Sequence, residues 1–303
     1  MRILVTGATG WIGSALVPEL LGAGHRVVGL ARSDAGATAL DTAGAEVVRG
    51  DLDDLDLLSA TASQVDGVVH LAFKHDLAFG GDFPAAVAAD RAAVAALAAP
   101  LRGTDRPLVI ASGLAGHGSG APVDEDDLPA TDSPAAGRML TEREVLDLAA
   151  AGVRSASVRL APTVHGAGDT GFVSVLVETA RRTGVSGHVG DGGNRWPAVH
   201  VGDAARLFRL ACESAPAGTV LHAAGEQGVT MLEIAEAIGR GLGVPVREVP
   251  SEHFGWLGTF AGLDVVARSD RTRALLGWQP GGPTLVEDIE RHYVGTPAGH
   301  ASA

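Results

Sequence analysis

The chain has 303 residues, of which 46% are hydrophobic and 19% charged, enough apolar material to fold and too little charge for a disordered chain. A formal net charge of -13 opposes binding to nucleic acid, and no uncharged apolar run of about 18 residues suggests a membrane span. Cys212 is the single cysteine, and the first residues show no leader pattern. We therefore expect a globular, cytoplasmic protein without disulfides, nucleic-acid partners or membrane contact.

Short apolar, β-branched runs alternate with segments of helical period. The runs predict strands at about 3–5, 27–30, 46–48, 68–71, 108–110, 155–160 and 220–222. Because these runs are apolar on both faces, they predict a parallel sheet covered by helices on both sides, the doubly wound α/β Rossmann architecture.

The alternation fails after about residue 160, where a glycine-rich stretch begins. Helices are predicted there at about 172–182, 231–242 and 285–293, and Ser133 and Pro134 are expected to begin an earlier helix that ends near Gly152. We expect a Rossmann domain over 1–166 and about 196–224, and a smaller substrate-binding lobe over about 167–195 and 225–303.

The strongest chemical signal is the run Thr-Gly-Ala-Thr-Gly-Trp-Ile-Gly between the first strand and the first helix. Its glycines permit a tight turn, a close backbone approach to a diphosphate and close helix–strand packing. The helix N-terminus then presents free N–H groups to the phosphates. The residues expected to bind a dinucleotide here are Gly7, Thr9, Gly10, Trp11, Ile12 and Gly13.

The end of the second strand indicates which dinucleotide binds. An NAD site usually has an acidic residue there, whereas this chain has Arg32 and Ser33, a cation and a hydroxyl suited to a 2′-phosphate. The pattern favours NADP(H), although Ser33 or Asp34 could instead cap the next helix beside a solvated Arg32. Asp51, after the third strand, either accepts from the adenine amino group or begins a turn.

These motifs together resemble the extended short-chain dehydrogenase/reductases, which include NAD(P)-dependent epimerases, dehydratases and reductases. The matching segments are the glycine turn, Asp51-Leu52, His70-Leu71-Ala72, Arg159 to Pro162 before Val164-His165-Gly166, His200-Val201 with Asp203, and Leu276-Gly277-Trp278. The resemblance implies that the C-terminal lobe binds a small-molecule substrate and that the protein forms a homodimer. It further implies that the cofactor is lined by Leu52, Leu71, Ala72, Phe73, Pro162 and Val164.

The expected active site departs from that family. The family pairs a Tyr and a Lys four residues apart with a Ser or Thr after the fifth strand. Ser112 is present, but Met139 and Arg143 are predicted at the Tyr and Lys positions. A thioether cannot donate a proton, and Arg143 can bind a ribose but cannot relay a proton. Since Tyr293 is the only tyrosine, the chain resembles the atypical branch of the family.

The missing proton donor has several candidates on loops at the carboxyl ends of strands. His165 is the first choice, followed by His117, His75 and Lys74. His165 could equally bind a backbone carbonyl in its glycine-rich turn, and His117 could be an ordinary loop residue. Asp203 is expected to cap the helix that follows it.

The sequence does not decide which residues line the substrate site. Arg195, Trp196 and Pro197 either line the substrate site or pin the lobe to the sheet. Histidines and carboxylates show no metal spacing, so no metal site is predicted.

The sequence therefore predicts an NADPH-dependent oxidoreductase that reduces a C=O, C=N or activated C=C bond of a small, fairly apolar substrate. Two alternatives stay open. The protein could be a non-catalytic NADP(H)-binding sensor or scaffold, or a redox-neutral epimerase or dehydratase.

Overall fold

The computed structural model describes residues 1–117, 121–127 and 136–295. The strands are β1 (Arg2–Thr6), β2 (Arg26–Ala31), β3 (Glu46–Arg49), β4 (Gly67–His70), β5 (Pro107–Gly113), β6 (Pro122–Val123), β7 (Arg154–Leu160), β8 (Thr163–His165), β9 (Ser186–His188), β10 (Arg195–His200), β11 (Thr219–Ala223), β12 (Glu226–Thr230), β13 (Val246–Glu248) and β14 (Val266–Ala267).

The described helices differ widely in length. They are α1 (Trp11–Gly22), α2 (Asp34–Thr42), α3 (Leu55–Ser63), α4 (His75–Phe79), α5 (Phe83–Ala98), α6 (Ala136–Asp147), α7 (Phe172–Thr183), α8 (Val201–Ser214), α9 (Met231–Leu242), α10 (Gly258–Ala261), α11 (Asp270–Leu276) and α12 (Leu285–Asp288). Short 3₁₀ turns follow α5 and α6, another spans Ser251–Leu257, and a π-helical turn, Ile289–Tyr293, continues α12.

The central sheet confirms the doubly wound prediction. Seven strands pair in the order β11-β7-β5-β4-β1-β2-β3, every pair parallel. All seven correspond to the predicted runs. The order reverses between β1 and β4, which opens a crevice at the carboxyl ends of these strands, where doubly wound folds bind ligands.

Helices cover both faces of this sheet. On one face, α1 and α8 bury Leu16, Leu20 and Phe208, together with Trp278 from the turn after α11. On the other face, α3, α5 and α6 bury side chains such as Leu58 and Leu97. The apolar cores explain why the strand runs carry hydrophobic residues at successive positions.

By length and composition alone, the stretch Phe83–Leu101, which is α5 and its 3₁₀ turn, would suffice to cross a bilayer. In the fold, 44% of its most apolar window is buried. The buried side chains on this stretch, among them Ala93 and Val94, belong to the core on the α3 side of the sheet.

The C-terminal lobe has a core of its own around Trp196, Leu176, Ile238 and Phe254. Its three-stranded sheet has the order β12-β10-β8, with β8 and β10 parallel. Because β8 begins three residues after β7 ends, this small sheet is attached directly to the carboxyl edge of the large one.

The expected helix starts are only partly correct. Ser133 and Pro134 lie outside the described residues. The expectation that Asp203 caps α8 is wrong, because the His200 ring accepts from the Gly202 N–H and is the N-cap. Asp203 lies inside the first turn, where its carboxylate accepts from the N–H groups of Gly281 and Gly282.

We expect Gly13→Ala to lower the free energy of unfolding by about 1 to 3 kcal/mol, because overpacking against backbone forces the helix to shift. A Cβ at this position would lie 2.1 Å from the Gly7 carbonyl oxygen. Gly22, at the end of the same helix, is the matched control, because a Cβ there would have no neighbouring atom within 4 Å. Gly22→Ala should be neutral or stabilising by up to about 1 kcal/mol. Urea unfolding of both variants checks this, and equal effects would contradict it.

Candidate active site

The glycine turn packs backbone against backbone. Gly7 has φ +66, and a Cβ there would lie 2.7 Å from the Ala72 N on the loop after β4. Gly10 is the N-cap of α1 and supplies no side-chain cap. The first N–H groups of α1, on Trp11, Ile12 and Gly13, have no intrahelical partner and can receive an anion. The turn therefore fits the diphosphate of a dinucleotide.

Two neighbours fix this turn in place. The Trp11 Nε1 donates to the Val164 carbonyl at 2.7 Å, which ties α1 to β8. Thr9 lies beside the start of α2, where its methyl group would be 3.3 Å from a Cβ on Gly36. The turn thus contacts both the C-terminal lobe and the segment after β2.

The residues expected to line the cofactor differ in exposure. Leu52 is buried in the core with Leu30 and Leu58, so only its backbone remains for such a contact. The other five are each partly exposed: Leu71, Ala72, Phe73, Pro162 and Val164.

A buried polar chain holds the loop after β4. Thr6 Oγ1 lies 2.8 Å from His70 Nδ1, His70 Nε2 lies 3.1 Å from Asp90 Oδ1, and the Ala72 N–H donates to Thr6 Oγ1. Burial raises the pKa of Asp90, but the hydrogen bond from His70 and the charge of Arg138 outweigh it, so the net pKa is lowered. Asp90 is therefore a buried anion that faces Arg138.

Ser112 and Arg138 meet at the carboxyl end of β5. Ser112 is 6% exposed, and its hydroxyl has no hydrogen-bond partner among the residues that the structure describes. Arg138 Nη2 donates to the Ala111 carbonyl at 2.6 Å, and the guanidinium lies 4.2 Å from the centre of the Phe73 ring. Arg138 thus binds the backbone at Ala111, the residue before Ser112, at the carboxyl end of β5.

The structure corrects the expected register of α6. Arg143, predicted at the Lys position, is exposed and has no ion pair within the described chain, whereas Arg138 reaches the site. Met139 is buried, at 8% exposure, and offers no proton. Glu142 faces the sheet and pairs with Arg159 at 3.0 Å. Arg138 and Glu142, four residues apart, therefore define the inward face.

Two arginines lie near the end of β2, where the adenosine of a bound dinucleotide is expected. Arg32 is exposed and has no hydrogen bond or ion pair within the described chain. The Ser33 hydroxyl caps α2 by accepting from the Gly36 N–H. Arg49, level with Ala31 on the neighbouring strand, donates to the Ser33 carbonyl and pairs with Asp34 at 2.7 Å.

Asp51 begins a turn, one of the two roles that the sequence left open for it. One of its carboxylate oxygens accepts from the Asp53 N–H at 2.7 Å. The carboxylate of Asp54 in turn accepts from the Asp51 N–H. This local arrangement shapes the loop below the end of β3.

His165 is fully buried, and its Nδ1 lies 2.6 Å from Asp288 on α12. Its Nε2 has no hydrogen-bond partner in the described chain and lies 3.9 Å from Glu226. Burial lowers the pKa of His165, although Asp288 opposes that shift. Of the two roles that the sequence left open, this geometry favours the structural one, with a buried bond between β8 and α12 instead of the expected backbone carbonyl.

The other proton-donor candidates are also constrained. Lys74 pairs with Asp53, at 2.7 Å to Oδ1. Burial and the charge of Arg138 lower the pKa of His75, whose ring lies 5.2 Å from that of Phe73. Both residues are at the mouth of the crevice, close to the loop after β4.

His117 is 5% exposed on the segment after β5. Neither ring nitrogen has a hydrogen bond of normal geometry within the described chain, although the Gly113 and Leu114 carbonyls lie nearby. Burial, reinforced by Arg159 and His222, lowers its pKa to about 3. The imidazole is therefore neutral near pH 7.

Within the described residues, no group of three or more His, Cys, Asp or Glu side chains is arranged to hold a metal ion. A parallel doubly wound sheet, with an uncapped helix N-terminus behind a glycine turn, defines a dinucleotide-binding protein of the Rossmann class. The model of the NAD dependent epimerase/dehydratase family matches residues 3–224, and the chain belongs to that family, which uses a nicotinamide cofactor.

Relatives align over most of the chain. An uncharacterized protein of Schizosaccharomyces pombe is 44% identical over 95% of this chain and 98% of its own. A UDP-glucose 4-epimerase of Mycolicibacterium smegmatis is 31% identical over 92% of this chain and 94% of its own. A 2-alkyl-3-oxoalkanoate reductase of Stenotrophomonas maltophilia is 30% identical over 81% of this chain and 77% of its own.

Among solved structures, MoeE5 in complex with UDP-glucuronic acid and NAD superposes with a TM-score of 0.76. The two chains are 25% identical, and the match covers 97% of this chain and 98% of MoeE5. The comparison confirms the fold class predicted from the sequence.

We expect His117→Gln to flatten the pH dependence of stability. The pKa is about 3 in the fold and 6.5 for an unperturbed histidine, so between these values the unfolded chain binds more protons. This contribution is complete above pH 6.5 and is lost as the pH falls. The slope of unfolding free energy between about pH 4 and 6 should drop by up to about 1.4 kcal/mol per pH unit. Urea titrations at several pH values measure it, and an unchanged slope would contradict the buried neutral imidazole.

Proposed function

We propose that the protein is an NADPH-dependent reductase of a C=O bond in a small, fairly apolar substrate, with C=N and activated C=C bonds as acceptors of the same chemistry. The observation that carries the proposal is the buried hydroxyl of Ser112, which has no partner among the described residues and follows Ala111, whose carbonyl accepts from Arg138. A buried donor without a partner costs about 1 to 3 kcal/mol, and a substrate oxygen that accepts from it removes that cost.

A bound nicotinamide supplies the hydride. Ser112 donates a hydrogen bond to the substrate oxygen, and the neighbouring Arg138 cation stabilises the negative charge that develops there. Arg138 keeps its proton near neutral pH, so the proton for the product oxygen passes through the Ser112 hydroxyl from water. His117 is neutral near pH 7, so it can donate a hydrogen bond from its N–H but has no imidazolium proton to transfer.

The choice of NADPH rests on the charge at the end of β2. Arg32 is exposed beside Ser33, and Arg49 lies on the adjacent strand, so two guanidinium groups flank this position. Arginine binds phosphate in a bidentate geometry. The Asp34 carboxylate already pairs with Arg49 and leaves Arg32 as the cation that is free to bind a 2′-phosphate.

The relatives support two activities. The Stenotrophomonas maltophilia relative is a reductase, whereas the Mycolicibacterium smegmatis relative is an epimerase. The present chain has a single tyrosine, Tyr293, whose hydroxyl is bound to Asp169 and to the Gly166 N–H in the lobe. An epimerase would need a paired acid and base, and Ser112 and Arg138 supply no base, so we favour the reductase and treat the epimerase as the second candidate.

Arg32→Ala should weaken NADPH binding by about 1 to 3 kcal/mol and leave NADH binding nearly unchanged, because only NADPH carries the 2′-phosphate. Fluorescence titration of both nucleotides measures the difference. Arg26, at the other end of β2, pairs with Glu46 and gives the control variant Arg26→Ala. Equal losses for NADPH and NADH in Arg32→Ala would refute the NADPH assignment.

Ser112→Ala should lower kcat for ketone reduction by about 10²- to 10³-fold, the usual effect of losing a donor to a developing oxyanion. NADPH affinity should be retained, and Ser112→Thr should restore part of the rate because it keeps the hydroxyl. A panel of ketones and imines at fixed NADPH, with UDP-glucose as the epimerase substrate, provides the assay. Conversion of UDP-glucose to its 4-epimer without net NADPH consumption would replace the reductase by the second candidate.

A further inference from the structure

We infer that three aromatic side chains of the lobe form a binding surface for a planar aromatic group of the substrate; this inference rests on the proposed reductase function and names its substrate class. The surface consists of Phe172, Trp256 and Phe260, and we call it the aromatic wall. The fully buried Trp196 lies behind it.

The rings of the aromatic wall contact one another. Phe172 is central, with ring centroids 5.7 Å from Trp256, 5.1 Å from Phe260 and 5.8 Å from Trp196. All three pairs are tilted or edge-to-face, the geometries that aromatic rings prefer. The chain contains only seven phenylalanines, four tryptophans and one tyrosine, so four of its few aromatic residues are concentrated at this point.

The wall is partly open to solvent. Trp256 is 47% exposed, and Phe172 and Phe260 are partly exposed. Gly255, just before the tryptophan, has φ 58 and ψ -130, a conformation that only glycine adopts readily and that breaks the Ser251–Leu257 turn there. An exposed indole beside two further rings leaves apolar surface in water, which a ligand can cover.

The register of the small sheet relates the wall to the carboxyl end of β7. The parallel pairing sets Ala198 opposite Thr163, so Trp196 precedes this pair at the end of β10 that is nearest the start of β8. The Thr163 hydroxyl donates to the Pro197 carbonyl at 2.8 Å. Trp196, on which Phe172 packs, is therefore adjacent to Pro197, which is bonded to the first residue of β8, and β8 directly follows Pro162.

A second connection leads to the glycine turn. Phe172 begins α7 directly after the loop 166–171. Within that loop, a Cβ on Gly166 would lie 3.3 Å from the Trp11 ring. The loop that leads into Phe172 therefore starts beside the glycine turn, at the carboxyl ends of the central strands.

The charge at the base of the wall argues for a neutral ligand. Arg195 precedes Trp196, and its guanidinium makes two hydrogen bonds to Asp264, at 2.9 and 2.8 Å. The hydrogen bond from Arg195 lowers the pKa of Asp264, so the carboxylate stays ionised and neutralises this cation. A nucleoside diphosphate would need a free cation here, whereas an uncharged aromatic group needs only the rings.

The test compares acetophenone with cyclohexyl methyl ketone, two methyl ketones of similar volume of which only acetophenone has an aromatic ring, conjugated with its carbonyl; the comparison between protein variants cancels this intrinsic difference in reactivity. We expect the wild-type protein with NADPH to reduce acetophenone with at least tenfold higher kcat/KM. Trp256→Ala should reduce that ratio about tenfold, and Trp256→Phe should preserve most of it. Leu275→Ala, which removes an exposed leucine on α11, should leave the ratio unchanged. Equal ratios in wild type and Trp256→Ala would overturn the inference.

A binding measurement separates this inference from the proposed function. Saturation-transfer NMR of both ketones with the NADP⁺-loaded protein reports contact even if neither ketone is reduced. Saturation of the acetophenone ring protons in the wild type but not in Trp256→Ala would support the aromatic wall. If neither ketone is reduced in the same samples, the result counts against the proposed reductase function but not against the wall. Equal saturation of the two ketones, or displacement of acetophenone by UDP-glucose with the same affinity in both proteins, would overturn the aromatic wall.

Discussion

The site depends on how closely the backbone approaches itself between β1, α1 and β4. A Cβ at Gly7 would lie 2.7 Å from the Ala72 N, and one at Gly13 would lie 2.1 Å from the Gly7 oxygen. This contact leaves the N-terminus of α1 open to an anion and places the loop after β4 beside it. Because Trp11 also donates to the Val164 carbonyl, the same turn is tied to the small sheet of the C-terminal lobe.

The fold could be predicted from the sequence because its signals are local. Each strand of the central sheet is a short apolar run, and the glycine spacing marks one junction. The inward face of α6 gave no such signal, because polar residues lie on all sides of this helix. Arg138 and Glu142 are directed to the sheet by Ala111 and Arg159, partners far away in the sequence, and only the structure distinguishes Arg138 from Arg143.

Long-range partners also explain why the role of His165 could not be predicted. The Val-His-Gly turn shows a histidine at the carboxyl edge, but Asp288 lies 123 residues later in the chain. Both side chains are buried, and their hydrogen bond joins β8 to α12. Buried polar pairs of this kind specify how the elements of the lobe pack together, since separating them leaves unpaired groups in a dry interior.

Ser112 and Arg138 limit the ways in which the proposed reductase can stabilise its transition state. Ser112 and Arg138 keep the same protonation state across the neutral pH range, so neither acts as a strong acid. Stabilising charge on the substrate oxygen then depends on holding that oxygen against fixed donors. Fixed donors contribute only if the rest of the substrate is also held in place. In the proposed reductase, residues of the C-terminal lobe hold it. In the proposed reductase the partly exposed rings of the aromatic wall meet this requirement, because stacking orients a flat group without adding a charge that would compete with the site.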